Sequence, residues 1–318
     1  MGGAVRQLFR LTAATLLAVC FLFQPRTGEA AIRIGLLPAA DTLLLIVAKE
    51  EGLFAARNLD VELVPFMSSL EQGTALLAGR LDGTFTDIVR VLLLNDAGAD
   101  QKIVATTFHT SPGNRYFGLA VSPRSRRTSL ADTSPAMETG ISTATIIEYV
   151  YERMLLTQGL DPNLFRPVSL DKIPIRLQML LSGKLEAAIL PEPHLSLAER
   201  RGAKVLWDDG ELNSALAVVA LNAEILGGPG GAAVPEALRD ALTEAARRIN
   251  ADPAKYRALM VEKKLLPSAL ADDYRMMSFD MRFVPKTLPS PEHLQDYSDW
   301  MREHGLLKRP PALSDLLR

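Results

Sequence analysis

Short apolar runs alternate with longer amphipathic runs along most of the chain, and glycine, proline or small polar residues separate them. This alternation predicts β-strands connected by α-helices. Residues 32–53 predict a strand, a polar break and a helix that ends at Gly52. A second strand is predicted at 61–66, a second helix at 70–78 and a third strand at 84–86.

The same order of elements returns from residue 137 onward. Residues 137–160 again predict a strand, a break and a helix, and a further strand follows at 165–170. The closing segments are similar in letters: LLAGRLDGTFTD at 76–87 and LLSGKLEAAILPEP at 180–193. Two β-α-β-α-β units are therefore predicted, which is typical of α/β proteins with mainly parallel sheets.

Both closing segments place an acid, Asp82 or Glu186, just before the third strand of the unit. We predict structural roles in turns for both acids, because this end of a strand faces away from a ligand site.

The remaining predicted elements connect and follow the two units. They are strands at 102–107, 117–122, 203–207 and 215–221, helices at 88–95 and 194–201, one helical turn at 129–132, and a helical tail at 234–250, 253–264 and 291–304.

Residues 1–30 are predicted to be a secretory signal peptide. Arg6 and Arg10 precede an apolar run at 11–23, and small residues precede a cleavage point before Ala31. The apolar run is shorter than the roughly 20 residues that a membrane-spanning helix needs. Lipidation at Cys20 and an uncleaved N-terminal anchor are the alternatives.

Charge and cysteine content argue against several functional classes. The formal net charge is −2, so nucleic acid is not expected as a partner. Cys20 is the only cysteine, so a chain cleaved before Ala31 would have no disulfide, thiolate nucleophile or cysteine-ligated metal. The histidines show no metal-ligand spacing, and residues 140–144 match a nucleophile elbow only in part. No catalytic residue, metal or cofactor is therefore predicted.

The carboxyl ends of the parallel strands predict where a ligand binds, because ligands of open parallel sheets lie outside these ends. The rule predicts ten ligand-binding residues: Asp41, Thr42, Ser68, Ser69, Thr86 and Asp87 from the first unit, and Ser142, Thr143, Thr145 and Glu192 from the second. The following helix N-termini favour anions, whereas the three acids favour a polar or cationic group on the ligand. Helix capping alone would also account for Ser68, Ser69, Ser142 and Thr143.

The chain resembles the periplasmic solute-binding proteins of ABC importers, in the group that binds nitrate, sulfonates, taurine and thiamine precursors. The resemblance rests on IRIGLLPAADTLLLIVAKEEGLF, LDVELVPF, LLAGRLDGTFTD, FGLAVSP, LLSGKLEAAILPEP and the ending PEHLQDYSDWMREHGLL. It implies a two-lobed type II periplasmic binding protein fold, in which each lobe is a mainly parallel sheet flanked by helices, with a helical C-terminal tail. Lobe I would hold residues 31–108 and 218–318, and lobe II residues 109–217, with the ligand cleft between them.

The resemblance also implies a function. The protein would capture a small polar organic solute, such as a sulfonate or an organic acid, by hinge closure and deliver it to an ABC permease in the inner membrane. We expect a periplasmic monomer without catalytic activity. A small lyase-type enzyme of the same fold and a periplasmic sensor partner are the alternatives, because fold does not fix function.

Overall fold

The computed structural model describes residues 31–132, 136–276, 279, 282, 284 and 287–318. The predicted signal peptide lies outside these residues. Within them, no helix combines the length and apolar character that crossing a membrane requires. The two β-α-β-α-β units predicted from the sequence are confirmed, and we call them the first unit (residues 32–87) and the second unit (residues 137–191).

The described residues form ten β-strands, five in each of two sheets. The strands are β1 (Ile32–Leu36), β2 (Val61–Pro65), β3 (Gly83–Asp87), β4 (Gln101–His109), β5 (Phe117–Val121), β6 (Met137–Ile141), β7 (Phe165–Ser169), β8 (Ala187–Pro191), β9 (Lys204–Asp208) and β10 (Ala215–Asn222). The α-helices are α1 (Leu43–Glu50), α2 (Ser69–Leu77), α3 (Ile88–Asp96), α4 (Ile146–Thr157), α5 (Ile173–Ser182), α6 (His194–Arg200), α7 (Ala223–Gly227), α8 (Val234–Ala251), α9 (Pro253–Glu262) and α10 (Pro291–Glu303).

Each sheet consists of the three parallel strands of one unit plus two further strands. The first sheet has the order β2-β1-β3-β10-β4 and the second the order β7-β6-β8-β5-β9. β10 is antiparallel to both β3 and β4, and β5 is likewise antiparallel to both β8 and β9. Each sheet is therefore mixed, with one strand running against the other four.

The chain passes between the two sheets twice. β4 belongs to the first sheet and β5 to the second, so the first crossing is residues 110–116. β9 belongs to the second sheet and β10 to the first, so the second crossing is residues 209–214.

A glycine in each unit lets one helix approach the sheet closely. A Cβ atom on Gly35 in β1 would lie 3.0 Å from the Cγ of Gln72 in α2. A Cβ atom on Gly140 in β6 would lie 3.1 Å from the Cγ and Cδ of Arg176 in α5. Gln72 and Arg176 therefore occupy equivalent positions in the two units, and both are fully buried.

The turn acids of the two units have the structural roles predicted for them. Asp82 accepts hydrogen bonds from the Nε and Nη2 of Arg33, both at 2.9 Å. Burial raises the pKa of Asp82, but the hydrogen bonds from Arg33 outweigh it and hold the pKa below its usual range. Glu186 accepts a hydrogen bond from the Nε of Arg127 at 2.7 Å. Each ion pair fixes the chain at the amino end of the third strand.

Ser142 and Thr143, which are capping candidates in the sequence, do not open the first helix of the second unit. α4 begins at Ile146, and the side chain of Thr145 caps it. Ala144 adopts a left-handed backbone conformation with φ of 56°, which interrupts a helix. The helical turn predicted at 129–132 is a single turn, closed by a hydrogen bond from the Asp132 N–H to the Ser129 carbonyl at 3.2 Å, and is not a helix.

The helical tail predicted from the sequence is confirmed, and it packs against both units. α8 packs against α1 and β4, and α10 packs against α3. Trp300 in α10 donates an indole hydrogen bond to Glu152 in α4 at 2.9 Å. Tyr149 in α4 donates a hydrogen bond to Asp296 in α10. The last helix therefore contacts α3, which follows a strand of the first sheet, and α4, which follows a strand of the second sheet.

Candidate functional site

Asp41 lies in the turn between β1 and α1, with only 1% of its surface exposed. One carboxylate oxygen accepts a hydrogen bond from the Tyr116 hydroxyl at 3.0 Å. The other oxygen has no hydrogen-bond partner among the described residues. Burial raises the pKa of Asp41 to about 7, against the smaller opposing effect of the Tyr116 hydrogen bond. No side chain caps the start of α1, so capping does not explain Asp41.

Three other predicted residues of the first unit have local partners. The Thr42 hydroxyl donates to the carbonyl of Leu37 at 2.8 Å. Ser68 caps α2 and Asp87 caps α3, each accepting a backbone N–H hydrogen bond from the first helical turn, at 3.2 and 2.9 Å. Burial raises the pKa of Asp87. Because a cap uses only part of the acceptor capacity of an oxygen, ligand contact at these residues stays a prediction.

Ser69 and Thr86, also in the first unit, differ sharply in exposure. Ser69 is exposed, and its main-chain carbonyl accepts a hydrogen bond from Nη2 of Arg90 at 2.9 Å. Thr86 lies near the end of β3 with 2% of its surface exposed, and its hydroxyl has no partner among the described residues. A buried polar atom without a partner is unfavourable. Thr86 and Asp41 are therefore the predicted residues of this unit that most need a further hydrogen bond.

The hydroxyl residues of the second unit lie at the ends of β6 and β7. Ser142 accepts a hydrogen bond from Nη1 of Arg176 at 2.9 Å. The hydroxyls of Thr143 and Ser169 are 3.1 Å apart and share a hydrogen bond. Thr145 caps α4 by accepting from the backbone N–H two residues later at 3.1 Å. Ser142 and Thr143 are therefore not caps, which removes the alternative explanation for them.

Arg176 is a functional candidate that the sequence reasoning missed. Its Nη1 also donates to the carbonyl of Leu170 at 3.1 Å, whereas Nε and Nη2 have no partner among the described residues. Burial lowers the pKa of Arg176 to about 10, although the charge of nearby Asp171 opposes the shift. The sequence did contain a signal, because Arg176 lies four residues before Leu180, on the apolar face of the predicted helix.

Glu192 follows β8 and lines a cavity of about 410 Å³. The cavity is formed by the first crossing, by α6 and by residues of 270–276. Glu192 accepts hydrogen bonds from Nε of Arg115 at 3.0 Å and from the Ser196 hydroxyl at 2.7 Å. Burial raises the pKa of Glu192 in spite of these partners. The carboxylate is therefore already held by protein groups.

Tyr116 joins several of these groups at the first crossing. Its hydroxyl bonds Asp41, and its backbone N–H donates to Asp209 of the second crossing at 2.7 Å. Burial raises the pKa of Asp209 to about 8. Both Asp41 and Glu192 raise the pKa of Tyr116 and of Tyr274 by their charge, although burial is the larger cause. Asp41 and Glu192 thus belong to one cluster, because both lie close enough to Tyr116 and Tyr274 to act on them. The sequence did not predict either tyrosine as a site residue.

Five of the ten predicted residues fall into three separate groups. Asp41 and Glu192 lie near Tyr116, whereas Ser69 and Asp87 share Arg90 as a partner. Ser142 bonds Arg176 in the third group. No direct hydrogen bond between described side chains links these three groups. No cluster of His, Cys, Asp or Glu suited to a metal ion occurs in the part of the chain that the structure describes.

Comparison with known proteins identifies the family and the fold. The model of the NMT1-like family matches residues 26–262, which is more than half of the chain. No curated protein matches the sequence.

Solved structures match this fold over nearly the whole chain. The aliphatic sulphonate binding protein SsuA of Escherichia coli has a TM-score of 0.75 and 20% identity, covering 92% of each chain. The zinc-bound ligand binding component of an ABC-type import system from Staphylococcus aureus has a TM-score of 0.71 and 20% identity, covering 91% of this chain and 97% of the other. The nitrate-binding protein NrtA from Synechocystis PCC 6803 has a TM-score of 0.63 and 15% identity, covering 90% and 83%. The two-lobed type II binding-protein fold expected from the sequence is therefore confirmed.

Proposed function

This chain belongs to the NMT1-like family, and from that premise we propose that it is the extracytoplasmic solute-binding component of an ABC transporter. The observation that carries the proposal is the pair of equivalent five-stranded sheets between which the chain crosses twice. Two short crossings let two sheets rotate towards and away from each other as rigid bodies. The similar structures from Escherichia coli, Staphylococcus aureus and Synechocystis support it, because each is described as a binding component rather than an enzyme.

Hinge closure is the proposed mechanism. Lobe I holds residues 31–108 and 218–318, lobe II holds residues 109–217, and the two crossings form the hinge. A solute that contacts both lobes binds the closed form more tightly than the open form, so binding shifts the population towards closure. The permease then distinguishes the loaded protein by its shape.

We propose a small polar organic solute, such as a sulfonate or an organic acid. The similar structures include proteins described as binding sulphonate and nitrate, which are compact polar anions. The contacts would come from the strand ends of both units: Asp41, Thr42, Ser68, Ser69, Thr86, Asp87, Ser142, Thr143, Thr145 and Glu192. Asp41 and Thr86 are the strongest of these in the first unit, because each has a buried oxygen without a partner among the described residues.

The proposal places the protein in the periplasm as a monomer. Residues 1–30 would be removed as a signal peptide, and the partner would be an ABC permease in the inner membrane. The lyase-type enzyme and the sensor partner are the competing functions. Turnover of a substrate would identify the first, and solute binding without permease stimulation would identify the second.

The test is to purify the protein from the periplasm and release any bound molecule after native mass spectrometry. We expect one small molecule bound to each chain, which raises the melting temperature when it is returned to stripped protein. Small-angle scattering should show a smaller radius of gyration with the solute, because closure makes the molecule more compact.

The variant Asp41→Asn should weaken binding of the recovered solute, whereas Asp60→Asn is the matched control at an exposed aspartate that ends the loop before β2. Absence of any bound molecule, of any thermal shift across sulfonates, carboxylates, amines and neutral solutes, and of any compaction would overturn the proposed function.

A further inference from the structure

The guanidinium of Arg176 lies buried at the carboxyl ends of β6 and β7, with no carboxylate bonded to it among the described residues. Its two protein contacts both use Nη1, which donates to the Ser142 hydroxyl at 2.9 Å and the Leu170 carbonyl at 3.1 Å. Nε and Nη2 are buried without a partner in the described part of the chain. The side chain therefore keeps its positive charge inside the protein with three of its five N–H donors unused.

The unused donors are arranged to take an acid group. The N–H of Nε and one N–H of Nη2 lie parallel on one edge of the planar guanidinium, and this edge matches two oxygens of a carboxylate or a sulfonate. The occupied Nη1 lies on the other edge. The protein thus holds the guanidinium by one side and leaves its bidentate side unpaired.

The first unit shows that packing alone does not require this charge. Gln72 occupies the equivalent position, under Gly35 as Arg176 lies under Gly140. Its amide nitrogen donates to the carbonyls of Gly35 and Phe85, both at 3.0 Å, so both of its N–H groups are used. A neutral side chain is sufficient to join this helix to this sheet. A buried cation without a counterion destabilises the protein, so its presence in the second unit points to a role outside the fold.

We propose that Arg176 binds the acidic group of the solute and that the solute is a carboxylate or a sulfonate, held side-on by Nε and Nη2. This inference rests on the proposed function and specifies its ligand. Hydroxyls of Ser142, Thr143 and Ser169 lie at the same strand ends and supply further donors. Arg176 is itself the fourth residue of α5, a helix of 10 residues, and a helix N-terminus favours an anion.

Asp171 is the carboxylate that competes with the solute. It is exposed, its charge acts on Arg176, and its side chain accepts a hydrogen bond from the Ser169 hydroxyl at 3.2 Å. Nε and Nη2 are not exposed, so an acid group reaches them only if neighbouring side chains move. The negative charge of Asp171 repels an entering anion and attracts Arg176. Replacing Asp171 by a neutral residue should therefore strengthen binding of an anion.

The experiment measures solute binding to the full mature chain and to the variants Arg176→Gln, Arg176→Lys and Asp171→Asn. The probes are a set of short mono- and dicarboxylates and alkanesulfonates, with the corresponding amides and sulfonamides as neutral counterparts. Thermal shift identifies the probes that bind, and calorimetry gives their affinities. The molecule released from periplasmic protein is tested in the same way.

We expect acids to bind and their amides not to bind. Arg176→Gln should weaken the acid by about 30-fold or more, since it removes a buried charge-assisted contact. Arg176→Lys keeps the charge but loses the paired donors, so it should bind with intermediate affinity. Asp171→Asn should bind the acid at least as tightly as the wild type.

A readout of stability separates this role from a structural one. Without solute, Arg176→Gln should melt at the same temperature as the wild type or higher, because the Gln72 amide bonds two backbone carbonyls at the equivalent position and carries no charge, although its Oε1 has no partner among the described residues. With the solute present, the wild type should melt at a higher temperature than Arg176→Gln, because only the wild type binds the solute tightly. A large loss of stability in both Arg176 variants without solute would contradict the proposal, because it would make the arginine structural.

The other outcomes are also decisive. If only neutral or cationic solutes bind, or if Arg176→Gln binds an acid as well as the wild type does, the inference on Arg176 is wrong while the proposed function stands. If no solute of any charge binds, the proposed function fails and the inference fails with it.

Discussion

The first and second units share one architecture, but at the same edge of their sheets the first buries an acid and the second a guanidinium. Each has a glycine under a closely packed helix, an ion pair before its third strand and hydroxyls at its strand ends. The first unit buries Asp41 with one oxygen unpaired, and the second buries Arg176 with two nitrogens unpaired, among the described residues. The features that make the fold are thus repeated, whereas the charges that a ligand would meet are not.

This difference shows which positions the fold leaves free to vary. The position under the strand glycine carries a neutral amide in the first unit and a guanidinium in the second, and both connect the helix to the sheet edge. A solute between the units would therefore be oriented, with its acid group towards Arg176 and a donor group towards Asp41. Exchanging these side chains between units tests how separate the two roles are.

The largest effect is expected from Gln72→Arg, which makes the first unit resemble the second. The new cation would be fully buried beside carbonyls that Gln72 now bonds, so we expect a loss of about 3–5 kcal/mol in the free energy of unfolding. The control Gln178→Arg makes the same change at an exposed position of α5 and should stay within about 0.5 kcal/mol. Urea unfolding measures both, and a small effect of Gln72→Arg would contradict the comparison.

The next effect is a dependence of stability on pH that comes from Asp41 of the first unit. Burial raises the pKa of Asp41 to about 7, so the folded state holds a proton that the unfolded state releases above pH 4. Stability should therefore fall by about 2 kcal/mol between pH 5 and 7 through this residue. Asp41→Asn should flatten the profile by that amount.

Asp60→Asn is the matched control for the pH measurement. It makes the same chemical change at an exposed aspartate, so the variant should keep the wild-type slope. An unchanged profile in Asp41→Asn would show that the carboxyl of Asp41 is not buried in solution. Asp209, whose pKa burial raises to about 8, contributes a slope of the same sign in both proteins.

A smaller effect is expected when the turn acids are neutralised. Glu186→Gln leaves the buried guanidinium of Arg127 without its carboxylate, and we expect a loss of about 2 kcal/mol. Asp82→Asn affects Arg33, whose side chain is 38% exposed, so the loss should be about 1 kcal/mol. Thermal unfolding of the two variants measures the difference. Equal losses would show that burial of the arginine does not set the strength of the pair.

The smallest effects are expected at the helix caps. Ser68→Ala and Thr145→Ala should each lower stability by about 1 kcal/mol, because each removes one capping hydrogen bond in its unit. Both residues are also predicted ligand contacts. If capping is their whole role, affinity for the recovered solute will stay at the wild-type value, whereas a fall in affinity in either variant identifies a contact with the ligand.

Several parts of this structure could be predicted because they depend on local pattern. The strand and helix order of both units follows from hydrophobic periodicity, and Asp82 and Glu186 follow from their repeated place before a strand. The start of α4 could not be predicted in this way. Ser142 and Thr143 look like caps in the sequence, but the left-handed conformation of Ala144 moves the helix start to Ile146.

The candidate site was predicted only in outline. The rule of strand ends selects Ser142 and Asp41 correctly as edge residues, but it cannot select Arg176, which reaches the edge from inside a helix. Tyr116 is 75 residues from Asp41 in the sequence, and no local pattern connects them. Whether ligand contact occurs at the ten predicted residues stays a prediction.

Local sequence pattern is enough to predict the elements, their duplication and the α/β class, because periodicity and turn residues act over a few neighbouring positions. The insertion of β10 between β3 and β4 in the first sheet, and of β5 between β8 and β9 in the second, depends on contacts between distant segments. The same contacts determine which polar groups are buried without a partner. Burial and hydrogen-bond satisfaction depend on residues that are distant in the chain, and therefore the opposite characters of Asp41 and Arg176 emerge only after folding.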